Sequence, residues 1–185
     1  GTSTKTAFEI NEAFDYYGAY CSRACYNETA VVNLSSLNKH LDKLLPVVKE
    51  MITEAVFLEE ELSTYKQNTK QRLSVSLKKS DFVASRLIDA YVYGEDHPYG
   101  TYTLAEDIDA LNTAALKEFY KQYYVNGQCI IFVSGKLPAN LKEQLNNNFG
   151  SLSLKTFNHQ LSTINPAPAL QKKYRITNEA EGVQG

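Results

Sequence analysis

The side chains that most often carry chemistry are few and scattered in this sequence. Its three histidines are His40, His97 and His159, and no two share the i and i+4 spacing that sets two imidazoles on one helical face. His40 sits beside Asp42 and Lys43 in a helical stretch, and His97 precedes a proline in a turn, so both read as surface or structural histidines. There is no glycine-rich phosphate loop and no G-x-S-x-G nucleophile turn. Glu59, Glu60 and Glu61 form the densest acidic cluster, but nearby residues supply no partners for a metal site. The triplet reads instead as acidic side chains at the positive end of a helix. Tyr120, Tyr123 and Tyr124 suggest a ligand surface at first sight, yet at helical spacing they read as core and rim packing. Cys21 and Cys25 fall in one strand on one face, about 13 Å apart at Cα and too far for a bridge. These two read as buried thiols, and with Cys129 they make an odd, sparse set that is no disulfide framework.

The elements that must position these residues come from a chain of 185 residues with 43% hydrophobic and 22% charged side chains. That is one domain's worth of polypeptide with enough apolar surface for a core. Nineteen basic and 21 acidic side chains leave no basic field for nucleic acid or an acidic membrane, and no apolar run approaches the roughly 18 residues of a membrane span. The apolar spacing predicts a helix over Thr4 to Tyr17, capped by Ser3 or Thr4 and stopped at Gly18. A hairpin over Ala19 to Leu37 turning at Asn27-Glu28 follows, and then a helix opened by Asn38 with Pro46 inside it. Further helices are predicted from about Glu59 to Leu77 and from about Asp81 through Tyr91, with a loop at Gly94 to Gly100 and a short helix at Leu104 to Ile108. Asn112 caps the stretch holding Leu116, Phe119, Tyr120 and Tyr123. Cys129 to Val133 is the strongest strand signal and reads as a strand buried on both faces; Pro138 then opens a helix ending at Gly150. Runs of β and α without strict alternation favour an α+β domain with helices on one face of a mainly antiparallel sheet. Residues 1–150 read as that domain, 151–170 as a linker and 171–185, with Lys173 to Asn178, as the start of a following strand or domain. The only methionine is Met51 and the chain opens Gly1-Thr2-Ser3 with no signal segment, so the expectation is a piece of a longer polypeptide.

Several of these stretches, in order, resemble the M16 zinc metallopeptidases, the family of insulinase, pitrilysin and the mitochondrial processing peptidase. Gly1-Thr2 with Thr6-Ala7-Phe8-Glu9-Ile10 is similar to the segment after that family's zinc helix, and Gly18-Ala19-Tyr20 leads into its hairpin. Phe57-Leu58-Glu59-Glu60-Glu61-Leu62 resembles the F-P-E-E-E-L opening of its long helix, and His97-Pro98-Tyr99-Gly100 its H-P-Y-G turn. Leu116 to Tyr124, followed by Ile130-Ile131-Phe132-Val133-Ser134-Gly135, completes the series.

The resemblance implies a zinc chemistry that this chain does not itself spell out. Family peptidases hold zinc through H-x-x-E-H, whose glutamate activates the metal-bound water, and that motif would lie before Gly1. The third ligand is a glutamate on the long helix, with a second carboxylate two turns earlier, and the alignment puts Arg72 and Tyr65 at those positions. Neither replaces a carboxylate, and Gln67, Gln71 and Ser74 nearby are poor zinc ligands. The expectation is therefore a non-catalytic M16-like domain with no catalytic, cofactor or metal residue of its own, and with zinc only if the parent protein carries an intact H-x-x-E-H. Two alternatives stay open: a fragment of an active zinc endopeptidase, and a scaffold subunit without proteolytic work. The implied partners are a homologous M16-like half in the same or another chain, peptide, and further copies of the chain itself. The resemblance also leans toward the bacterial cell envelope.

Overall fold

The computed structural model describes residues 1–125, Gly127 and residues 129–152. The predicted linker beyond Leu152, the strand at Lys173 to Asn178 and His159 lie outside the described residues. By its contacts the chain forms two compact units: Gly1–Glu59 with 112–152, and Glu60–Leu111.

The first unit opens with helix α1, Ala7–Tyr16. Its cap is Thr6, not Ser3 or Thr4: the Thr6 hydroxyl accepts from Glu9 N–H, and the Glu9 carboxylate accepts from Thr6 N–H at 2.8 Å. This reciprocal box satisfies two backbone donors that an uncapped helix leaves open. Ser3 and Thr4 are unavailable as caps because their hydroxyls bond Glu54 and Glu50 at the end of a helix far along the chain. Gly18, at φ 61°, takes the left-handed conformation that ends the helix and starts the hairpin.

Strands β1, Tyr20–Cys25, and β2, Ala30–Ser35, pair antiparallel, and Tyr26 N–H bonds Thr29 C=O across the predicted turn. Cys21 stands opposite Leu34 and Arg23 opposite Val32, so Cys21, Leu34 and Val32 share a face. That face packs on a core of Ile10, Phe14, Ala19, Leu44 and Val48. Cys21 is half-buried there, but Cys25, expected to be buried, is exposed because it ends β1 at the turn end of the hairpin.

A short 3₁₀ turn at Asn38–His40 leads into helix α2, Leu41–Thr53, which runs through Pro46. Asn38 does not cap it; the Asn38 amide donates to Lys136 C=O. Leu44 is completely buried, with Leu45 and Val48 buried one turn apart on the same stripe. Helix α6, Thr113–Tyr120, is capped by Asn112 as predicted, continues into a π turn at Lys121–Val125, and helix α7, Leu141–Phe149, packs on α2.

Residues Cys129 to Val133 form no strand. The segment has every β-favouring side chain it needs, but among the described residues no strand lies beside it and the sheet is the β1–β2 pair alone. Propensity describes fit to a sheet surface and cannot substitute for a ladder of backbone partners. The expectation of burial on both faces fails with it, since Ile130, Ile131, Phe132 and Val133 are all exposed. The α+β class holds, with a hairpin as its sheet and α1 and α2 on one face of it.

The second unit holds helix α3, Glu59–Ser76, from Glu60 onward, helix α4, Ser80–Tyr93, and the short helix α5, Ala105–Ala110. Between α4 and α5, His97 stacks on Tyr93 at 5.2 Å, and its Nδ1 accepts from Tyr99 N–H at 3.1 Å. A side chain at Gly100 would come within 2.0 Å of the Gly94 carbonyl, so the turn closes only with glycine there. No helix among the described residues is long and apolar enough to cross a membrane.

Candidate functional site

Helix α3 carries the two positions on which the zinc question turns. At 100° per residue, Leu62, Lys66, Leu73 and Lys70 fall within about 80° of one another, while Tyr65 and Arg72, about 20° apart, flank that stripe with Asn68 and Gln71 further round. Leu62 is buried. Lys66 Nζ bonds the Asp109 carbonyl at 3.0 Å, and Lys70 Nζ pairs with the Asp109 carboxylate at 2.8 Å. A cation on the last carbonyls of α5 also complements that helix's negative end. These contacts leave the neighbouring face outward, where Tyr65, Asn68, Gln71, Arg72, Val75 and Ser76 line one shallow hollow.

The seven-residue spacing of Tyr65 and Arg72 thus does what two helical turns require: both reach the same hollow, with Gln71. Gln67 and Ser74 are exposed but do not line it; the Ser74 hydroxyl donates back to Gln71 C=O at 2.8 Å. Arg72 is held on its own helix by Nη2 donating to the Thr69 hydroxyl at 3.2 Å. The donor set does not fit zinc. A guanidinium has no lone pair to give and repels a cation, while an amide and a phenol are weak partners beside the imidazole, thiolate and carboxylate ligands zinc prefers. Among the described residues no three His, Cys, Asp or Glu side chains gather closely enough to hold a metal ion.

His40, in the first unit, packs on Tyr17 with ring centres 4.9 Å apart, and His97 is spent on its turn in the second. Glu59 opens α3, with Glu60 and Glu61 in its first turn. The tyrosines of α6 and the π turn after it pack much as their spacing predicts. Tyr120 donates to Ile52 C=O at 2.8 Å, accepts from Ala55 N–H at 3.2 Å, and lies against Phe57. Its partial burial raises the phenol's pKa. Tyr123 stays half exposed against Phe119.

Two polar centres escape a sequence reading. In the first unit, Glu50 accepts from Lys5 Nζ at 2.5 Å and from the hydroxyls of Thr2 and Thr4, while Ser3 N–H bonds Glu54 C=O at 3.0 Å. Lys5 first, then the two threonines, hold the Glu50 carboxyl down at about 2. In the second unit, the Arg86 guanidinium lies 4.4 Å from the Tyr102 ring centre and 5.5 Å from that of Phe82, and Nη2 donates to Thr103 C=O at 2.5 Å. The i and i+4 spacing of Phe82 and Arg86 was a usable signal. Nothing local links Glu50 to residues 2–5.

Comparison with known proteins places this geometry in a family. Residues 1–102 match the family described as Insulinase (Peptidase family M16), and residues 110–184 match the one described as Peptidase M16 inactive domain. "Uncharacterized zinc protease YmxG" of Bacillus subtilis (strain 168) is 27% identical over 157 residues, covering 84% of this chain and 38% of that protein. An "Uncharacterized zinc protease" of Rickettsia felis is 25% identical over 139 residues, covering 74% of this chain and 34% of the relative. The chain therefore spans little more than a third of the length of these relatives. Among solved structures, a peptidase M16 inactive domain from Pseudomonas fluorescens superposes with a TM-score of 0.61 at 24% identity, covering 65% of this chain and 30% of that one. A protease from Helicobacter pylori gives 0.65 at 18% identity, covering 85% and 38%. With a family match over more than half its length and the fold to go with it, the chain belongs to the M16 peptidase family.

Proposed function

We propose that this chain is a non-catalytic M16 peptidase-like domain that helps enclose peptide by pairing with a homologous half, in the same or another chain. The observation that carries this reading is the open stripe of α3, on which Tyr65 and Arg72, two turns apart, line one hollow. Those positions align with the carboxylates of a zinc-binding member. A stripe of phenol, amides and a guanidinium is suited to hydrogen-bonding a polypeptide and to meeting a carboxylate, not to holding a divalent cation.

A second reading, a fragment of an active zinc endopeptidase, is favoured by the names of the relatives, two of which are called zinc proteases. The two readings part on one observation. An intact H-x-x-E-H immediately before Gly1 in the parent gene supports the second and reopens which residue is the third ligand. For the chain itself the expected result is no cleavage of a mixed peptide pool with equimolar zinc. Cleavage that a chelator abolishes and zinc restores would overturn the non-catalytic reading.

A further inference from the structure

Helix α5 has little of its own to hold it. At six residues it has half the roughly 12 at which an isolated helix becomes marginally stable in water, and Ile108 is its one buried side chain. It is kept by ties at both ends, to two different helices. At its start, the Arg86 guanidinium of α4 donates from Nη2 to Thr103 C=O at 2.5 Å and stands 4.4 Å from the Tyr102 ring centre. At its finish, Lys66 Nζ of α3 donates to Asp109 C=O at 3.0 Å, and Lys70 Nζ meets the Asp109 carboxylate at 2.8 and 2.9 Å. Both ties are of a kind that comes undone. Lys70 and Asp109 are 42% and 58% exposed, so salt screens the pair. Arg86 Nη1 is buried with no hydrogen-bond partner among the described residues, a donor that opening returns to water.

We propose that residues 102–110 are a strap that opens as one unit, letting go of α4 and α3 together while both helices stay folded. Its limits are marked on either side. The turn before it is closed by Gly100 N–H on His97 C=O at 2.8 Å, and Leu111 after it is extended. Because one short helix joins the two ties, each contributes to a single opening equilibrium, the behaviour of a small cooperative unit at the low end of a protein's local stabilities. Closed, the strap holds α3 by Lys66 and Lys70, beside the face that bears Tyr65 and Arg72. Open, it releases that hold. The inference stands whether or not the face takes peptide.

Amide hydrogen exchange of the chain, resolved by NMR, tests it. Leu104 N–H, on the Asp107 carboxylate at 2.7 Å, reports the Arg86 end, and Ile108 N–H, on Leu104 C=O at 3.4 Å, reports the Asp109 end. Ala90, buried in α4, is the reference. Leu104 and Ile108 should share one protection, lower than that of Ala90. R86Q should speed exchange at both about tenfold, through loss of a charge-assisted bond and a ring contact. D109N should speed both about twofold, as should raising sodium chloride from about 0.02 to about 0.5 M, with Ala90 unchanged. D109N alters an exposed side chain and decides the case if R86Q loosens α4. Exchange at Leu104 and Ile108 as slow as at Ala90 overturns the proposal, as does a D109N effect confined to Ile108 or absent from both. Ala90 speeding with them in D109N also overturns it, since the segment and α4 would then open together.

Discussion

Helices α2 and α3 are neighbours in sequence and opposite in construction. Over 13 residues α2 buries Leu44, Leu45 and Val48, and its far end gathers the whole N-terminal segment through Glu50 and Glu54. Helix α3 is longer at 18 residues, buries Leu62 alone, and is fixed on one side by two lysines to Asp109. A helix that is polar nearly all round contributes little packing and draws on surface ion pairs, each worth well under about 1 kcal/mol. The contrast teaches where substitution is tolerated. Residues at α2 are constrained by the core, whereas the exposed positions of α3, Tyr65 and Arg72 among them, carry little of the fold.

The largest expected effect is on α2. Leu44→Ala removes a fully buried side chain and should cost about 3 kcal/mol in chemical denaturation. Glu50→Gln comes next, at about 2 kcal/mol near neutral pH, because it removes the charge that takes Lys5 and two hydroxyls. Its pH dependence sharpens the point. The Glu50 carboxyl lies at about 2 in the folded chain against an ordinary 4.5, so its contribution is complete above 4.5 and disappears as pH falls through 2. The stability gap between wild type and Glu50→Gln should accordingly shrink between pH 5 and pH 2. The smallest effect belongs to α3: Tyr65→Ala and Arg72→Ala should each shift stability by no more than about 0.5 kcal/mol, measured the same way. A cost at Arg72 as large as that at Leu44 would break the contrast between the helices.

Much of this fold is legible in the sequence because much of it is local. The stripes of α1, α2 and α4, the hairpin turn near Asn27-Glu28, the Asn112 cap and the His97 turn all follow from residues within a few positions of one another. The misses are long-range. Ser3, Thr4 and Asn38 look like caps, but Glu54, Glu50 and Lys136 claim their side chains from across the first unit. Cys129 to Val133 has the composition of a core strand, yet among the described residues nothing lines up beside it. The site divides the same way. Spacing alone brings Tyr65 and Arg72 to one face of α3, while the Lys66 and Lys70 anchors that turn this face outward depend on Asp109, far along the chain.

The proposed non-catalytic role requires that the face of α3 bearing Tyr65 and Arg72 holds no zinc. Isothermal titration calorimetry of zinc into the chain at neutral pH tests it most directly. The expected result is no stoichiometric binding, with the Tyr65→Ala and Arg72→Ala variants giving the same flat trace. A one-to-one isotherm that either substitution abolishes would contradict it.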